Sequence, residues 1–423
     1  MININFLREN PELVKAGLSK KHFKELNIVD EILSLDDTRR SIQKSLDSNL
    51  SVQNQFSKKI GILIKEGRNE EVELIKNEVS NLKNESSRLK EELTNTESNQ
   101  NSLLVKLPNI PNNLVPEGKT PEDNEVVFQV ENIPTLSNDA KPHWEITSQY
   151  NLIDFELGVK IAGAGFPVYI GQGAKLQRAL MQFFLDRATE AGYLEVQPPI
   201  VVNEASGFGT GQLPDKEGQM YHVTEDDLYL IPTAEVPLTN IYRDVIVKSE
   251  DLPIKICGYT PCFRREAGSY GKDVRGLNRL HQFDKIEIVQ IANPETSYNQ
   301  LNEMVSHVES LLKDLELPYR ILRLCGGDMS FASALTYDFE VWSAAQGRWL
   351  EVSSTSNFET FQANRLKCRY KDENGKSNLV HTLNGSALAL PRIVAALLEN
   401  NQTENGIRIP KVLVPYFGKD MIS

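Results

Sequence analysis

The sequence predicts an α+β protein in which an N-terminal antiparallel helical hairpin, a coiled coil, precedes a domain with a largely antiparallel sheet. Residues 27–105 contain no proline or tryptophan and repeat apolar residues at heptad spacing. A segment rich in Pro, Asn and Gly follows at 108–124. Beyond it, β-rich runs such as KIEIVQI alternate with amphipathic helices without a regular βαβ rhythm. We therefore expect a helical arm at 1–107, a linker at 108–124 and a sheet domain at 125–423.

The heptad positions lie on two arms joined by a turn at KEGRNEE, where we expect Gly67 and Asn69 to form the turn. At ~1.5 Å per residue the hairpin would be roughly 50 Å long. The alternative is a coiled coil that dimerises with a second chain, although a tight turn favours a chain that folds back on itself. The seam positions on the two arms are Ile32, Leu35, Arg39, Ile42, Leu46, Asn49, Gln53, Phe56, Ile60 and Leu63, then Val72, Ile75, Val79, Leu82, Ser86, Leu89 and Leu93.

The composition is that of a soluble globular protein, with 40% hydrophobic and 25% charged residues among 423. No run of 18 apolar residues and no apolar secretory segment is present, which predicts a cytoplasmic protein without a membrane span. The spacing of the four cysteines predicts reduced thiols and leaves open a zinc site built from scattered residues. They are Cys257, Cys262, Cys325 and Cys368.

The net charge of −12 argues against a nucleic-acid binder, because phosphate contacts need clustered Lys and Arg. The hairpin is not uniformly basic either, since residues 27–105 hold 11 Lys and Arg against 14 Asp and Glu, a net of −3. Any contact with RNA must therefore come from a local patch.

A strand–loop–strand hairpin with basic and aromatic residues at its base is predicted near residue 264. Phe263–Glu266 follows the strand-like run KICGYTPC and precedes the loop AGSYGKDVRG, after which come Arg279, Leu280 and Phe283. Arginine binds phosphate through paired hydrogen bonds, and an aromatic face stacks on a base with ~1–3 kcal/mol. A surface hairpin with salt-bridged charges is the alternative, and it is the commoner explanation of FRRE taken alone.

A second polar segment, Glu351-Val352-Ser353-Ser354, follows Trp349. In a regular strand, alternation would put Glu351 and Ser353 on one face and Ser354 on the other. Carboxylate and hydroxyl oxygens suit a Mg²⁺ ion that bridges phosphates. Taken alone, the tetrapeptide is more typical of a solvated strand end.

Small residues precede a third segment, Asn384–Arg392, which leads into the helical run IVAALLENN. Small side chains let a helix start lie close to a sheet and a ligand, and Arg392 would lie in the first turn. A tightly packed helix start explains them equally well.

An amphipathic helix before GYLEVQPP ends at a Pro-Pro pair that marks a strand edge or a bend. Its apolar stripe is either a dimer contact or ordinary core. The stripe comprises Leu176, Leu180, Phe183, Phe184 and Ala188.

Together and in this order, these segments resemble the three signature motifs of class II aminoacyl-tRNA synthetases. Motif 1 resembles the helix from Lys175 into Pro199, motif 2 the segment from Phe263 through Phe283, and motif 3 Gly385–Arg392. The strings TAEVPLTN and EVSSTSNF and the preceding hairpin are similar to bacterial-type seryl-tRNA synthetases. The resemblance covers essentially the whole chain and implies a class II catalytic domain at 125–423. Motif 3 is less rich in glycine than in the broader class, with alanine at 387 and 389.

The resemblance implies that Arg264 and Arg392 are catalytic. Arg264 would bind the α-phosphate and the serine carboxylate, Arg392 and Phe283 would sandwich the adenine, Glu266 would read its amino group, and Arg279 would reach the γ-phosphate. The implied ATP-binding residues are Arg264, Arg265, Glu266, Arg279, Leu280, Phe283, Glu351, Val352, Ser353, Ser354 and Arg392.

The resemblance also implies Mg²⁺ on the triphosphate, held by Glu351 and Ser354, and no zinc. The implied serine-binding residues are Thr233, Ala234, Glu235, Arg264, Glu287 and Ser386. The implied reaction forms seryl-adenylate from L-serine and ATP and transfers serine to the 3′ end of tRNA(Ser), and also of tRNA(Sec). The implied assembly is a homodimer formed through motif 1.

Glu287 is the candidate reader of the serine hydroxyl. It lies in HQFDKIEIVQ, where alternation places Lys285, Glu287 and Val289 on one face. Binding alanine would leave a buried carboxylate unpaired, and such sites discriminate by ~10⁴–10⁵. An exposed glutamate on the wet face of a strand is the alternative.

Three other functions compete with this interpretation. They are a synthetase for another amino acid such as threonine or proline, a synthetase-like ligase that loads a carrier protein, and a structural coiled-coil protein whose globular part only binds nucleotide. The hairpin argues against the first two, because a carrier-protein ligase has no use for a ~50 Å arm.

Overall fold

The structure, a computed structural model, describes residues 1–136, 140–215, 218–266 and 275–423. These residues form two compact units. The arm unit comprises Ile2–Ser19 and Phe23–Pro108. The sheet unit comprises Met1, Lys20–His22 and Asn109–Ser423. No helix in the described ranges is long and apolar enough to cross a membrane.

The secondary-structure elements are numbered in chain order. The helices are α1 (Ile4–Glu9), α2 (Pro11–Lys20), α3 (Asn27–Lys65), α4 (Asn69–Leu104), α5 (His143–Gln149), α6 (Phe155–Ile161), α7 (Gln172–Glu190), α8 (Glu204–Thr210), α9 (Glu235–Asn240), α10 (Ser297–Asp314), α11 (Thr360–Leu366), α12 (Leu390–Asn400) and α13 (Val414–Phe417). The strands are β1 (Glu125–Gln129), β2 (Ile153–Asp154), β3 (Val168–Tyr169), β4 (Leu194–Glu195), β5 (Val201–Val202), β6 (His222–Val223), β7 (Leu228–Leu230), β8 (Ile246–Val247), β9 (Ile254–Phe263), β10 (Gln282–Ala292), β11 (Tyr319–Arg323), β12 (Leu335–Ser343), β13 (Arg348–Asn357), β14 (Arg369–Lys371), β15 (Ser377–Leu379), β16 (His381–Ala389), β17 (Gln402–Thr403), β18 (Gly406–Arg408) and β19 (Met421–Ile422).

The predicted helical hairpin is confirmed as the pair α3 and α4. The two helices hold 39 and 36 residues, so at ~1.5 Å per residue the hairpin is roughly 55 Å long. Leu46 of α3 packs against Leu89 of α4, and Leu63 packs against Val72 near the turn. The seam thus closes within one chain, as the tight turn predicts.

Two polar positions interrupt the apolar seam. Gln53 of α3 donates through Nε2 to Ser86 Oγ at 2.8 Å and to the carbonyl of Leu82 at 3.1 Å. At the other end of the hairpin α3 buries Asp36, which is 1% exposed, instead of the predicted Arg39. Asp36 is buried because Arg8 and Arg39 both donate to its carboxylate, at 2.8 and 3.1 Å.

The hairpin turn differs from the prediction by one residue. Gly67 takes a positive φ of 71° after α3, and the amides of Gly67 and Arg68 bond back to the carbonyls of Ile64 and Leu63. This is a Schellman ending, in which glycine avoids the penalty of the left-handed conformation. Asn69 is already the first residue of α4 and not part of the turn.

The sheet unit is built on a sheet with the strand order β1-β11-β12-β13-β16-β10-β9-β4. Neighbouring strands are antiparallel, except that the edge strand β4 runs parallel to β9. The predicted class of a largely antiparallel sheet is confirmed. Ile286 and Ile288 of β10 belong to the main core with residues of α7, α10 and α12, so the intervening Glu287 points to the opposite face.

The apolar stripe of α7 is part of this main core. Leu180, Phe184 and Ala188 are fully buried in the single chain, and Leu176 and Phe183 are each 1% exposed. Of the two interpretations of this stripe, ordinary core is therefore correct. A dimer contact would have to use other residues of motif 1.

Candidate active site

The predicted strand–loop–strand hairpin is present, and its base brings together two of the predicted site residues. β9 and β10 pair so that Phe263 lies opposite Gln282 and Cys262 opposite Phe283. The Arg264 guanidinium lies 5.2 Å from the centre of the Phe283 ring, and its Nε donates to the carbonyl of Pro232 at 3.3 Å. A phosphate-binding group and a flat aromatic face are therefore neighbours.

Glu266 and Arg279 meet across the base of the same hairpin. Arg279 NH1 lies 3.2 Å from Glu266 Oε2, and the Glu266 amide donates to Gln219 Oε1 at 3.1 Å. Arg265 lies above the Tyr221 ring, with its guanidinium 5.9 Å from the ring centre. The loop AGSYGKDV at 267–274 lies outside the described residues. Leu280 is 6% exposed and contributes to the main core.

Glu287 lies in a buried polar cluster with Lys285 and Thr233. Lys285 Nζ is 2.6 Å from Glu287 Oε2 and donates to Thr233 Oγ1 at 2.9 Å, while the Thr233 hydroxyl donates to Glu287 Oε2 at 3.1 Å. The side chains of Lys285 and Glu287 are only 7% and 2% exposed. The alternative of an exposed glutamate on a wet strand face is therefore wrong.

Ser386 lies directly opposite Glu287 on the neighbouring strand β16. Its carbonyl accepts a hydrogen bond from Ser353 Oγ at 2.6 Å, which links β16 to β13. The preceding residue is Gly385, and a Cβ on it would lie 2.8 Å from Thr355 Oγ1, so a larger residue would force the Thr355 side chain to move. The small residues of motif 3 thus let β16 approach β13 closely beside the Glu287 cluster.

Glu235 adds a second buried carboxylate beside this cluster. Its backbone amide donates to Thr233 Oγ1 at 3.2 Å, and Gln362 donates to its Oε1 at 2.6 Å. Burial, reinforced by the charge of Glu287, raises the pKa of Glu235 to about 7. Two carboxylates and one ammonium face each other, so the cluster is one positive charge short when Glu235 is ionised.

A β-bulge changes the predicted orientation of the EVSS segment. Glu340 of β12 pairs with Glu351, whereas the adjacent Phe339 pairs with Ser353, so β13 inserts one extra residue. Asp338 pairs with Ser354. Because Asp338 and Glu340 share a face of β12, their partners Glu351 and Ser354 share a face of β13. The expectation that Ser354 faces away from Glu351 is therefore wrong.

The bulge also brings Asp338 to the same face, a residue that the sequence analysis did not identify. Its Oδ1 atom is buried and has no hydrogen-bond partner among the described residues. Burial and the nearby charge of Glu351 raise the pKa of Asp338 well above its usual range, while a hydrogen bond with Ser354 acts in the opposite direction. Three carboxylates and one hydroxyl are thus grouped on this face, and one of the carboxylates, Glu340, is paired with Arg320. Among the described residues, no group of three or more His, Cys, Asp or Glu could hold a metal by itself.

Arg392 lies in the first turn of α12, as predicted. Its Nε donates to the carbonyl of Asn278 at 3.2 Å and its NH1 to the carbonyl of Glu351 at 2.6 Å. Arg392 therefore joins motif 3 to the end of the motif 2 loop and to the EVSS segment. Lys285 and Gln362 were not predicted as site residues, and only the spacing of Lys285, two residues before Glu287, could have indicated it.

Comparisons with known proteins identify the family of this chain. The family model of the tRNA synthetase class II core domain (G, H, P, S and T) matches residues 220–401, and that of the seryl-tRNA synthetase N-terminal domain matches residues 1–111. A serine–tRNA ligase of Salinibacter ruber is 53% identical over 99% of this chain and 98% of its own length.

Two solved structures are similar over the whole chain. Seryl-tRNA synthetase from Pyrococcus horikoshii, complexed with ATP, superposes with a TM-score of 0.89 at 35% identity and covers 100% of this chain and 99% of its own. Cytoplasmic serine–tRNA ligase from Naegleria fowleri, in complex with AMP, gives 0.88 at 27% identity with the same coverage. The chain belongs to the seryl-tRNA synthetase family, the class II serine–tRNA ligases.

Proposed function

We propose that the cluster around Glu235 and Glu287 is the L-serine pocket of an ATP-dependent, AMP-forming ligase that charges tRNA(Ser), and also tRNA(Sec). The observation that carries this proposal is the charge of the buried cluster. Glu235, Glu287 and Lys285 are 8%, 2% and 5% exposed, and together they carry one net negative charge when all are ionised. A buried charge needs a partner, and the α-ammonium of an amino acid supplies it.

Within this pocket, Glu235 binds the serine ammonium and Glu287 accepts the serine hydroxyl. Thr233, Ala234 and Ser386 form the walls, since Ala234 is fully buried and Ser386 lies opposite Glu287. Glu287 already accepts from Lys285 and Thr233, which fixes the position of its carboxylate. An alanine substrate would leave this carboxylate without the third hydrogen bond, at a cost of ~1–3 kcal/mol or more.

ATP binds beside this pocket on the motif 2 and motif 3 residues. Arg264 binds the α-phosphate and the serine carboxylate, and the adenine lies between Phe283 and Arg392. The proximity of Arg264 to Phe283 supports this assignment, because it places phosphate and base next to each other. Glu266 reads the adenine amino group and Arg279 reaches the γ-phosphate. Arg265, Leu280, Val352 and Ser353 complete the site.

Mg²⁺ fits the face formed by the bulge in β13. Glu351 and Ser354 would hold the ion there, and the unpartnered Oδ1 of Asp338 lies on the same face. Carboxylate and hydroxyl oxygens are the donors that Mg²⁺ prefers, with the remaining positions filled by phosphates and water. When bound, the ion would neutralise part of the negative charge on the triphosphate.

The chemistry follows from this placement. A serine carboxylate oxygen attacks the α-phosphorus, an O–P bond forms, the bond to the β-phosphate breaks, and pyrophosphate leaves with the electron pair. Because two anions must meet, positioning and positive charge from Arg264 are the main requirements, and no side-chain nucleophile is needed. The 3′-terminal ribose hydroxyl of the tRNA then attacks the serine carbonyl and AMP leaves.

The remaining proposals concern partners. We propose a cytoplasmic homodimer with a tRNA-reading arm at 1–107, a linker at 108–124 and the catalytic domain at 125–423. The apolar residues Leu194, Ile200 and Ile241 are 65%, 37% and 45% exposed. Ile241 lines a pocket of about 510 Å³ together with Pro198 and Pro199. A second copy of the chain would cover this surface.

ATP–pyrophosphate exchange tests the function. The wild-type chain with Mg²⁺ should exchange labelled pyrophosphate into ATP with serine and without tRNA, because every proposed activation residue lies after residue 124. Alanine, threonine and proline serve as matched substrates. Exchange with any of these in preference to serine, or exchange only when tRNA is present, would contradict the proposed pocket.

A further inference from the structure

A buried histidine holds the returning end of the motif 2 loop. Leu277 donates its backbone amide to His143 Nε2 at 2.9 Å, and His143 Nδ1 lies 2.8 Å from Glu399 Oε1. The side chains of His143 and Glu399 are both 0% exposed. Neither residue has a role in the reaction as described above.

The hydrogen bonds fix the proton on the imidazole ring. A backbone amide can only donate, so His143 Nε2 is an acceptor and carries no proton. The proton of the neutral ring therefore resides on Nδ1 and points to Glu399, which also accepts from the His143 amide at 3.0 Å and from Gln346 at 3.0 Å. A carboxylate that orients a histidine through one nitrogen leaves the other nitrogen aimed at a defined partner.

Helix α12 holds two adjacent loop residues, Leu277 and Asn278. Glu399 lies in the last turn of α12 and acts on Leu277 through His143, while Arg392 in its first turn donates to the carbonyl of Asn278 at 3.2 Å. Asn278 also donates through Nδ2 to Gln346 Oε1 at 3.1 Å, which closes a ring of hydrogen bonds. Arg279, the proposed γ-phosphate ligand, is the next residue.

Neighbouring residues fit the loop closely to α5. Gly276 has a φ of 67°, and a Cβ on it would lie 2.2 Å from His143 Nε2. The Arg275 guanidinium lies 4.8 Å from the centre of the Trp144 ring. Three consecutive residues thus contact the start of α5, and the middle one must be glycine.

We propose that His143, oriented by Glu399, is a positioning residue that fixes the backbone of residues 277–279 so that Arg279 and Arg392 bind ATP. The proposal rests on the nucleotide roles given to these two arginines. It predicts an effect on ATP and not on serine, because the Glu235–Glu287 cluster shares no hydrogen bond with this ring among the described residues.

Two conservative substitutions test separately the two hydrogen bonds of the His143 imidazole. His143→Asn keeps a donor near the Nδ1 position, for Glu399, and loses the acceptor for Leu277. His143→Gln keeps an acceptor near the Nε2 position and loses the donor. If the Leu277 bond positions the loop, His143→Asn should raise the KM for ATP by about tenfold, as for one lost hydrogen bond, with the KM for serine changed by less than about twofold. His143→Gln should restore most of the wild-type KM.

The controls distinguish positioning from loss of structure. Tyr193→Phe removes the buried hydroxyl that accepts from Gln290 Nε2 at 2.7 Å, and it should leave both KM values unchanged. Among the described residues, Tyr193 makes no hydrogen bond with residues 275–280. Direct ATP titration by the shift in melting temperature should show the same weakening for His143→Asn. Gly276→Ala is the second variant if His143→Asn does not fold, because its added Cβ would crowd the His143 imidazole from the loop side. It should raise the KM for ATP and leave the KM for serine unchanged.

The proposal is overturned if His143→Asn and His143→Gln raise the KM for ATP equally, or if the KM values for serine and ATP rise together. It is also overturned if folded His143→Asn binds ATP as the wild type does. Serine-dependent exchange by the wild-type protein is a separate result, so failure of this proposal leaves the proposed function standing.

Discussion

Replacing Glu235 with glutamine is expected to stabilise the free protein while it weakens serine binding. Burial raises the pKa of Glu235 to about 7, against 4.5 for an exposed glutamate. The difference between these two pKa values corresponds to ~3 kcal/mol of unfolding free energy that ionised Glu235 costs the protein without serine. Glutamine has the same shape, can accept from Gln362 through its carbonyl, and carries no charge.

The sign of this effect depends on pH. Because the folded pKa exceeds the unfolded pKa, the wild-type protein has its full stability below pH 4.5 and loses ~3 kcal/mol as pH rises to about 7. Above pH 7 both states are ionised and the loss stays constant. The glutamine variant should therefore be more stable than the wild type by ~3 kcal/mol at pH 8, and by less than ~1 kcal/mol at pH 5.

Thermal unfolding at the two pH values measures the difference. For a unit of about 300 residues, ~3 kcal/mol corresponds to a rise of roughly 5 °C in melting temperature at pH 8. Glu399→Gln is the matched control of opposite sign. Although burial opposes it, hydrogen bonds from His143 and Ser343 lower the pKa of Glu399, so this variant should lose stability at pH 8.

Serine binding completes the test. Glu235→Gln should abolish the thermal shift that serine gives the wild type, because the ammonium loses its ionised partner. In the wild type, serine kcat/KM should fall as pH drops below about 7, where Glu235 becomes protonated. A variant that melts no higher than the wild type at pH 8, or that binds serine normally, would refute the assignment of Glu235 as the buried ammonium ligand.

Three further predictions test other parts of the protein. Replacing residues 30–103 with a short linker should leave serine-dependent pyrophosphate exchange near normal and abolish tRNA charging; charging that survives would refute the role of the arm. Glu287→Gln keeps a side-chain oxygen that can accept from Lys285, which a Glu287→Ala substitution would remove. It should reduce the kcat/KM ratio of serine over alanine more than that of serine over threonine. An unchanged ratio of serine over alanine would show that Glu287 does not bind the serine hydroxyl. Ser354→Ala should raise the Mg²⁺ concentration needed for half-maximal pyrophosphate exchange several-fold. Ser353→Ala should not, because Ser353 lies on the other face of β13. Equal effects of the two substitutions would contradict the placement of Ser354, and not Ser353, on the face of Glu351.

The features that depend on periodicity were predictable from the sequence. The heptads of 27–105 predicted the hairpin, and the alternation in KIEIVQI placed Lys285 and Glu287 on one face, where they form an ion pair. Both patterns are set by local geometry, which a sequence displays directly. The start of α12 was predictable for the same reason, since Arg392 lies within one turn of the small residues before it.

Features that depend on distant partners were not predictable. One of the two arginines that pair with the buried Asp36 is Arg8, which lies 28 residues earlier in the chain. The role of Gln362 depends on Glu235, which is 127 residues away. The bulge in β13 is an insertion of one residue in a strand pair, and it reverses the face of Ser354 without altering the composition of the segment. The α7 stripe shows a third case, because an apolar stripe indicates burial without identifying what covers it.

The Gln53–Ser86 bond reinforces the register that the tight turn at Gly67 gives the hairpin. Between two unconnected helices, an apolar heptad seam can slip by seven residues and still match leucine to leucine, which would move one helix by ~10 Å along the other. A buried amide and hydroxyl that satisfy each other, at 2.8 Å, lose this match in any slipped alignment. The hairpin therefore has a defined length from base to tip, and a partner that must touch both ends is accepted or rejected by its own dimensions. The polar pair and the tight turn together hold the two helices in one alignment.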